Sequence, residues 1–124
     1  MSTWTRNDLD RIAVAEELEI APARSDGSLT RFTTIWVVRV GDDLYVRAYR
    51  GRTSAWFRHA LQHHEGRIRA GGVERDVRFE EPSDANSRAI DDAYRTKYSR
   101  HSASYVDPMV APEATAATLQ LVPG

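Results

Sequence analysis

The stretch "RAYRGRTSAWFRHAL", residues 47–61, gathers Arg47, Arg50, Arg52 and Arg58 within twelve positions. Thr53 and Ser54 follow at the start of a helical pattern. Clustered guanidinium groups are donors for phosphate or carboxylate oxygens, and the free N–H groups of a helix N-terminus add to them. Gly51 lets the backbone approach a ligand closely. The competing reading is a solvated arginine face, and the residues alone leave both open. Trp56, in the same helix, can stack on a flat heterocycle or anchor a core or an interface.

Other residues carry weaker chemical signals. Arg75 interrupts an apolar strand face, where a buried cation needs either an acid such as Glu65 or a ligand anion. His59 and His63 share a helix face at i,i+4 spacing. A metal site would need Glu65, His64 or His101 as a third ligand, and no His-Glu-x-x-His pattern is present, so no metal is expected. No Gly-x-Ser-x-Gly elbow, P-loop or Gly-x-Gly-x-x-Gly motif occurs.

The whole chain constrains these candidates. Its 124 residues suit one domain, 1–124. It has no cysteine, which removes disulfides and thiolate metal sites. The net charge of −1 argues against general nucleic-acid affinity. Positive charge is concentrated in the middle, where residues 39–78 carry nine Arg against five acids. Of seventeen basic residues only Lys97 is not Arg, a bias that codon usage in a GC-rich genome accounts for without explaining the local cluster. No signal peptide or apolar run long enough for a membrane span is visible, so a cytoplasmic location is expected.

The elements that must position these residues follow from periodicity. An N-terminal helix is expected over about 5–17, with Thr5 and Asp8 as a variant capping box. "LEIA" (18–21) alternates like a strand, and Asp26-Gly27 marks a turn. "TTIWVVRV" (33–40) and "LYVRAY" (44–49) read as a hairpin around Gly41. Ser54 caps a helix over 55–64 that Gly66 stops, with Phe57, Ala60 and Leu61 on its apolar face. "RIRA" (67–70), Gly71-Gly72 and "VERDVRF" (73–79) make a second hairpin. Ser83 or Asp84 caps a third helix, with a stripe of Ile90, Ala93, Tyr94 and Lys97 and an Asp91–Arg95 pair. Pro108 and Pro112 read as loop punctuation and 117–121 as a last strand; the C-terminal helix and strand together span about 84–122. About six strands in hairpins and three flanking helices predict a mainly β chain with helices, a small antiparallel barrel. Strand 33–40 is apolar on both faces, and three short helices look insufficient to cover the outer one. A homodimer is therefore expected.

From "APARSDG" (21–27) to "VERDVRF" (73–79) the chain resembles the split β-barrel flavin and deazaflavin reductases, which include pyridoxamine-phosphate oxidases and deazaflavin-dependent nitroreductases. "RSDG" with Arg31 resembles their Arg-Lys-Ser/Thr-Gly-x-x-Arg loop, with Ser25 in place of Lys and Arg31 one residue late. "IWVVRVGDDLYVRAY" resembles their central hairpin, and "GRTSAWFRHAL" their Gly-rich turn and Trp-bearing helix. His63-His64 stands near where an Asn-Pro pair often closes that helix. Over nearly the whole chain the sequence resembles a bacterial family of unknown function.

The resemblance implies a bound FMN or deazaflavin coenzyme and hydride transfer to a quinone-like or nitro acceptor. It places the cofactor's phosphate at Arg47, Arg50, Arg52 and Ser54, with Tyr49, Gly51 and Thr53 also in the cofactor site, its ring near Trp56 or a dimer junction, and its tail near Arg24 and Arg31. Tyr94, Tyr98 and Tyr105 would line the substrate pocket. The departures from the loop and helix motifs motivate the alternative of a non-catalytic barrel without a redox cofactor. The implied partners are small molecules and a second copy of the chain.

Overall fold

The structure, a computed structural model, describes residues 4–83 and 86–124. Helix α1 (Arg6–Ala13) opens the chain, and the Thr5 hydroxyl accepts from the Asp8 N–H at 3.1 Å as the capping pattern requires. It ends four residues short of the expected Glu17, because Val14 closes the helix. Strand β1 (Leu18–Pro22) follows. The run 33–40 does not form one strand. It divides into β2 (Thr33–Ile35) and β3 (Val37–Val40), with Trp36 between them.

That division closes the barrel. Seven antiparallel strands follow the order β2-β1-β5-β6-β7-β4-β3, with β4 (Asp43–Arg47), β5 (Glu65–Ala70), β6 (Val73–Glu80) and β7 (Thr118–Pro123). The two edges of the sheet, β2 and β3, are consecutive pieces of one chain segment, so the sheet curls until its edges meet at Trp36. The result is a mixed α+β, nearly closed barrel, one strand richer than expected because the central strand changes partner. Two tight turns fix the register. Val40 pairs with Asp43 across Gly41-Asp42, and Ala70 pairs with Val73 across two glycines with φ of +57° and +82°. Such turns match the twist of the strands they join.

Among the described residues five α-helices flank the barrel instead of three. Helix α2 (Ala55–His63) stops at His64, whose left-handed backbone takes the cap position, and not at Gly66. Gly66 lies inside β5 opposite Pro22, where a side chain would meet the Ala21 carbonyl. Helix α3 (Ser87–Lys97) presents Ile90, Tyr94 and Tyr98 to the barrel. Of its two expected caps, Asp84 lies outside the described residues. The segment expected as a loop forms α4 (Ala103–Val110) and α5 (Pro112–Thr115). Pro112 takes the first turn of α5, where its missing N–H costs nothing.

Burial separates into two clusters. The barrel interior holds Leu18, Ile20, Val37, Leu44, Val46, Ile68 and Leu121, together with Leu9 and Ile12 from α1 and Phe57 and Ala60 from α2. The outer face of β3 and β4 forms the second cluster, where Val38 and Tyr45 pack on Ile90, Tyr94, Tyr98, Val106 and Met109. The chain's own α3 and α4 thus cover the face that the sequence reading assigned to a second subunit.

Candidate functional site

The break at Trp36 leaves backbone polar groups that neither sheet edge pairs, and α3 supplies their partners. The Tyr98 hydroxyl accepts from the Val37 N–H at 3.2 Å and lies 2.9 Å from the Glu16 carbonyl and 3.0 Å from the Val37 carbonyl. The Lys97 ammonium donates to the same Val37 carbonyl at 2.7 Å. Above this patch the Tyr98 ring stacks on the Trp36 indole, with centroids 3.8 Å apart. Burial holds the Tyr98 phenol well above its ordinary pKa, and lowers Lys97 to about 8. Neighbouring Glu16 bonds His101 at 2.6 Å and also pairs with Arg100, contacts that lower its pKa.

Beside Trp36 a cleft of about 650 Å³ opens between the strand break, the end of β4, the N-terminus of α2 and helix α4. Its walls are largely apolar and aromatic, with Ile35, Trp36, Trp56, Tyr49, Tyr105 and Met109 among them. Its polar lining residues are Glu17, Thr33, Thr34, Ser54, Ser104, the cations Arg47 and Arg50, and the tyrosines Tyr49 and Tyr105. A concave, mostly apolar site of a few hundred Å³ with sparse convergent polar groups is the usual form of a small-molecule site. The N–H groups of Ala55, Trp56 and Phe57, in the first turn of α2, have no carbonyl within the helix to bond. The Ser54 side chain makes no cap bond there.

The arginine cluster resolves into separate roles. Arg47 lies at the cleft floor, yet its side chain is fully buried. Its guanidinium bonds Asp91 at 2.5 Å, the Met109 carbonyl at 2.9 Å and the Thr118 hydroxyl at 2.9 Å. Those bonds tie β4 to α3, α4 and β7, so this cation differs from the ligand-facing one that the sequence suggests. Arg52 turns away to Glu81 and the Ala116 carbonyl, each at 2.7 Å. Gly51 and Thr53 belong to the 3-10 turn Gly51–Thr53, with Gly51 buried at φ +84° next to Glu113. Neither lines the cleft. Arg50 does; it lies over its neighbour Tyr49, bonding the Tyr49 hydroxyl at 2.9 Å, and has no ion-pair partner among the described residues.

The remaining candidates divide similarly. Tyr49, Ser54, Trp56 and Tyr105 line the cleft. Tyr98 stands behind Trp36, and Tyr94 is fully buried with its hydroxyl unpaired and its pKa pushed upward by burial. Arg24 folds back on its own turn, donating to the Leu29 carbonyl at 2.7 Å, and Arg31 is exposed outside the cleft lining. Arg75 is half-exposed and pairs with Asp8 at 2.6 Å, not with Glu65. Arg95 approaches Asp92 instead of Asp91, which Arg47 has taken. His59 and His63 stack at 6.3 Å, and no three metal-ligating side chains cluster among the described residues. Glu17, Thr33, Thr34 and Trp36 were not foreseen as site residues. Trp36 sits inside the run 33–40 that reads as one strand, and the strand break brings it to the cleft lining.

A nearly closed antiparallel barrel with a cleft at the strand break is a split β-barrel fold. Residues 8–121 match the family model described as "Uncharacterized protein conserved in bacteria (DUF2255)". The chain belongs to that family. No curated protein matches it. Among solved structures it is similar to the conserved hypothetical protein Rv2991 from Mycobacterium tuberculosis, at 12% identity and TM-score 0.63 over 98% of this chain and 80% of that one. It is also similar to the FAD and heme binding protein from Mycobacterium smegmatis, at 20% identity and TM-score 0.57 over 98% of this chain and 66% of that one. An F420 reductase aligns at 13% identity and TM-score 0.58 over 92% of this chain and 89% of that one. Identities this low establish a shared fold. Among the described residues no helix is long and apolar enough to cross a membrane.

Proposed function

We propose that the chain binds a flavin-type cofactor, FMN or a deazaflavin coenzyme, in the cleft beside Trp36 and serves as a reductase. The observation that carries this reading is the meeting of three features in one cleft. Aromatic walls suit a flat ring, Arg50 is a cation without a carboxylate partner, and the first turn of α2 offers free N–H groups for an anionic tail. The volume of about 650 Å³ fits a ligand of that size. The fold neighbours add support, since one is named for FAD and heme binding and another as an F420 reductase.

Within this proposal, Arg50, Ser54 and the α2 N-terminus hold the phosphate-bearing tail, while Tyr49, Trp56 and Tyr105 flank the ring. The bound group supplies the hydride chemistry, and the protein binds, orients and shields it. The acceptor is a small organic molecule of the quinone-like or nitro class. A second copy of the chain, packed over the exposed rings of Tyr49 and Tyr105 at the rim, completes the site.

One observation favours a second reading. Arg47 is committed to internal partners and Arg52 lies outside the lining, which leaves Arg50 as the cleft guanidinium without an ion pair among the described residues. A barrel that binds a small ligand without redox chemistry accords with that reduced charge. Absorbance of the protein after incubation with FMN or the deazaflavin coenzyme and desalting separates the two. Retained flavin-range absorbance supports the reductase; a spectrum of protein alone supports the non-catalytic barrel.

A further inference from the structure

The cleft has two sides of different chemistry. Arg50 and the start of α2 make the β4 side cationic. The β1 side carries Glu17. Leu18 pairs with Ile35, so the residue before it, Glu17, comes level with Trp36. Both line the same cavity.

Glu17 has no ion-pair partner among the described residues, although cations stand close by. Arg100 and His101 are taken by Glu16, and the Lys97 ammonium donates to the Val37 carbonyl. Glu17 therefore brings to the cleft a carboxylate that makes no direct ion pair among the described residues. Trp36 is held rigidly next to it. Tyr98 covers one face of the indole at 3.8 Å and 2°, and His101 packs at 5.0 Å with a tilt of 42°. The indole surface that borders the cleft is a preformed, electron-rich platform, which attracts cations more strongly than any other side-chain ring.

We propose that Glu17 and Trp36 form a subsite for a flat organic cation, of the N-alkylpyridinium or protonated heteroaromatic amine class. The proposal rests on reading this cleft as the ligand site, and it names a class of ligand that the β1 side admits. The ring stacks over Trp36, and the carboxylate of Glu17 balances its charge. A neutral ring of the same shape keeps the stacking and loses the charge terms.

The test is calorimetric titration of the intact protein at low salt with 1-methylnicotinamide, a cation, and with neutral nicotinamide. The cation is expected to bind about five- to tenfold tighter, the size of one combined cation–π and carboxylate contact at a partly exposed site. Glu17→Gln, a surface substitution, is expected to abolish that preference and leave the neutral compound's affinity unchanged. Equal affinities in the wild type, a preference that survives Glu17→Gln, or no detectable binding of the cation would each overturn the proposal. Titrating FMN and the deazaflavin coenzyme against the wild-type protein keeps the two readings apart. Cation preference without cofactor binding removes the reductase and leaves the subsite; cofactor binding without cation preference does the reverse.

Discussion

The indole of Trp36 and the phenol of Tyr98 lie parallel, 3.8 Å apart and 2° from coplanar in orientation. This pair joins the point where the barrel strand breaks to the last turn of α3. It makes one tyrosine responsible both for the backbone of Val37 and for a wall of the cleft.

Tyr98 substitutions should separate those two tasks. Tyr98→Phe keeps the stacked ring and strands the Val37 N–H, a loss of about 1–3 kcal/mol in urea unfolding. Tyr98→Ala also removes the ring and should cost about 3–5 kcal/mol. Equal losses would mean that the hydroxyl, and not the stack, carries the contribution.

Arg47 and Asp91 should behave as a buried pair. Replacing either alone, as Arg47→Met or Asp91→Leu, leaves the partner uncompensated, and about 3–5 kcal/mol of stability should be lost. A double variant, Arg47→Met with Asp91→Leu, should recover much of that loss. Additive losses in a denaturant double-mutant cycle would show that the two side chains do not depend on each other.

The hairpins, the seven elements from β1 to β7 apart from one break, and the faces of α2 and α3 were legible because hydrophobic period and turn glycines are local signals. The break at Trp36 was not. It follows from closure of the sheet, a property of distant strands, and nothing in "TTIWVVRV" marks it. Helix α4 was hidden by Pro108, which sits inside it and normally argues against a helix. The arginine cluster was legible as a cluster. Its division into the buried Arg47, the outward Arg52 and the cleft-lining Arg50 depends on Asp91, Thr118 and Glu81, which lie far along the chain.

Gly66→Ala should destabilise the barrel by about 3 kcal/mol, because a side chain there would stand 2.7 Å from the Pro22 Cα and against the Ala21 carbonyl in the neighbouring strand. Thermal unfolding measures it. An unchanged midpoint would show that β1 and β5 can separate freely at that register.

Lys97 should give stability an alkaline dependence. Its folded pKa, about 8, lies below the ordinary lysine value, so the unfolded chain binds the extra proton between the two. Stability should therefore rise as pH increases from about 8 toward 10, and the rise should vanish in Lys97→Met. Above about 10 the raised phenols of Tyr94 and Tyr98 work in the opposite sense, since the unfolded chain loses their protons first. Parallel pH profiles of wild type and Lys97→Met would refute the assignment.

The most direct measurement is a titration of FMN and of the deazaflavin coenzyme against the tryptophan fluorescence of the protein, with Trp36 and Trp56 both lining the cleft. At least one ligand should quench the emission, and Arg50→Glu should weaken that ligand by about 1.5–3 kcal/mol, tenfold or more, as expected for a lost charged hydrogen bond. Emission unchanged by either ligand at millimolar concentration, or affinity indifferent to Arg50→Glu, would contradict a flavin-type cofactor held in this cleft.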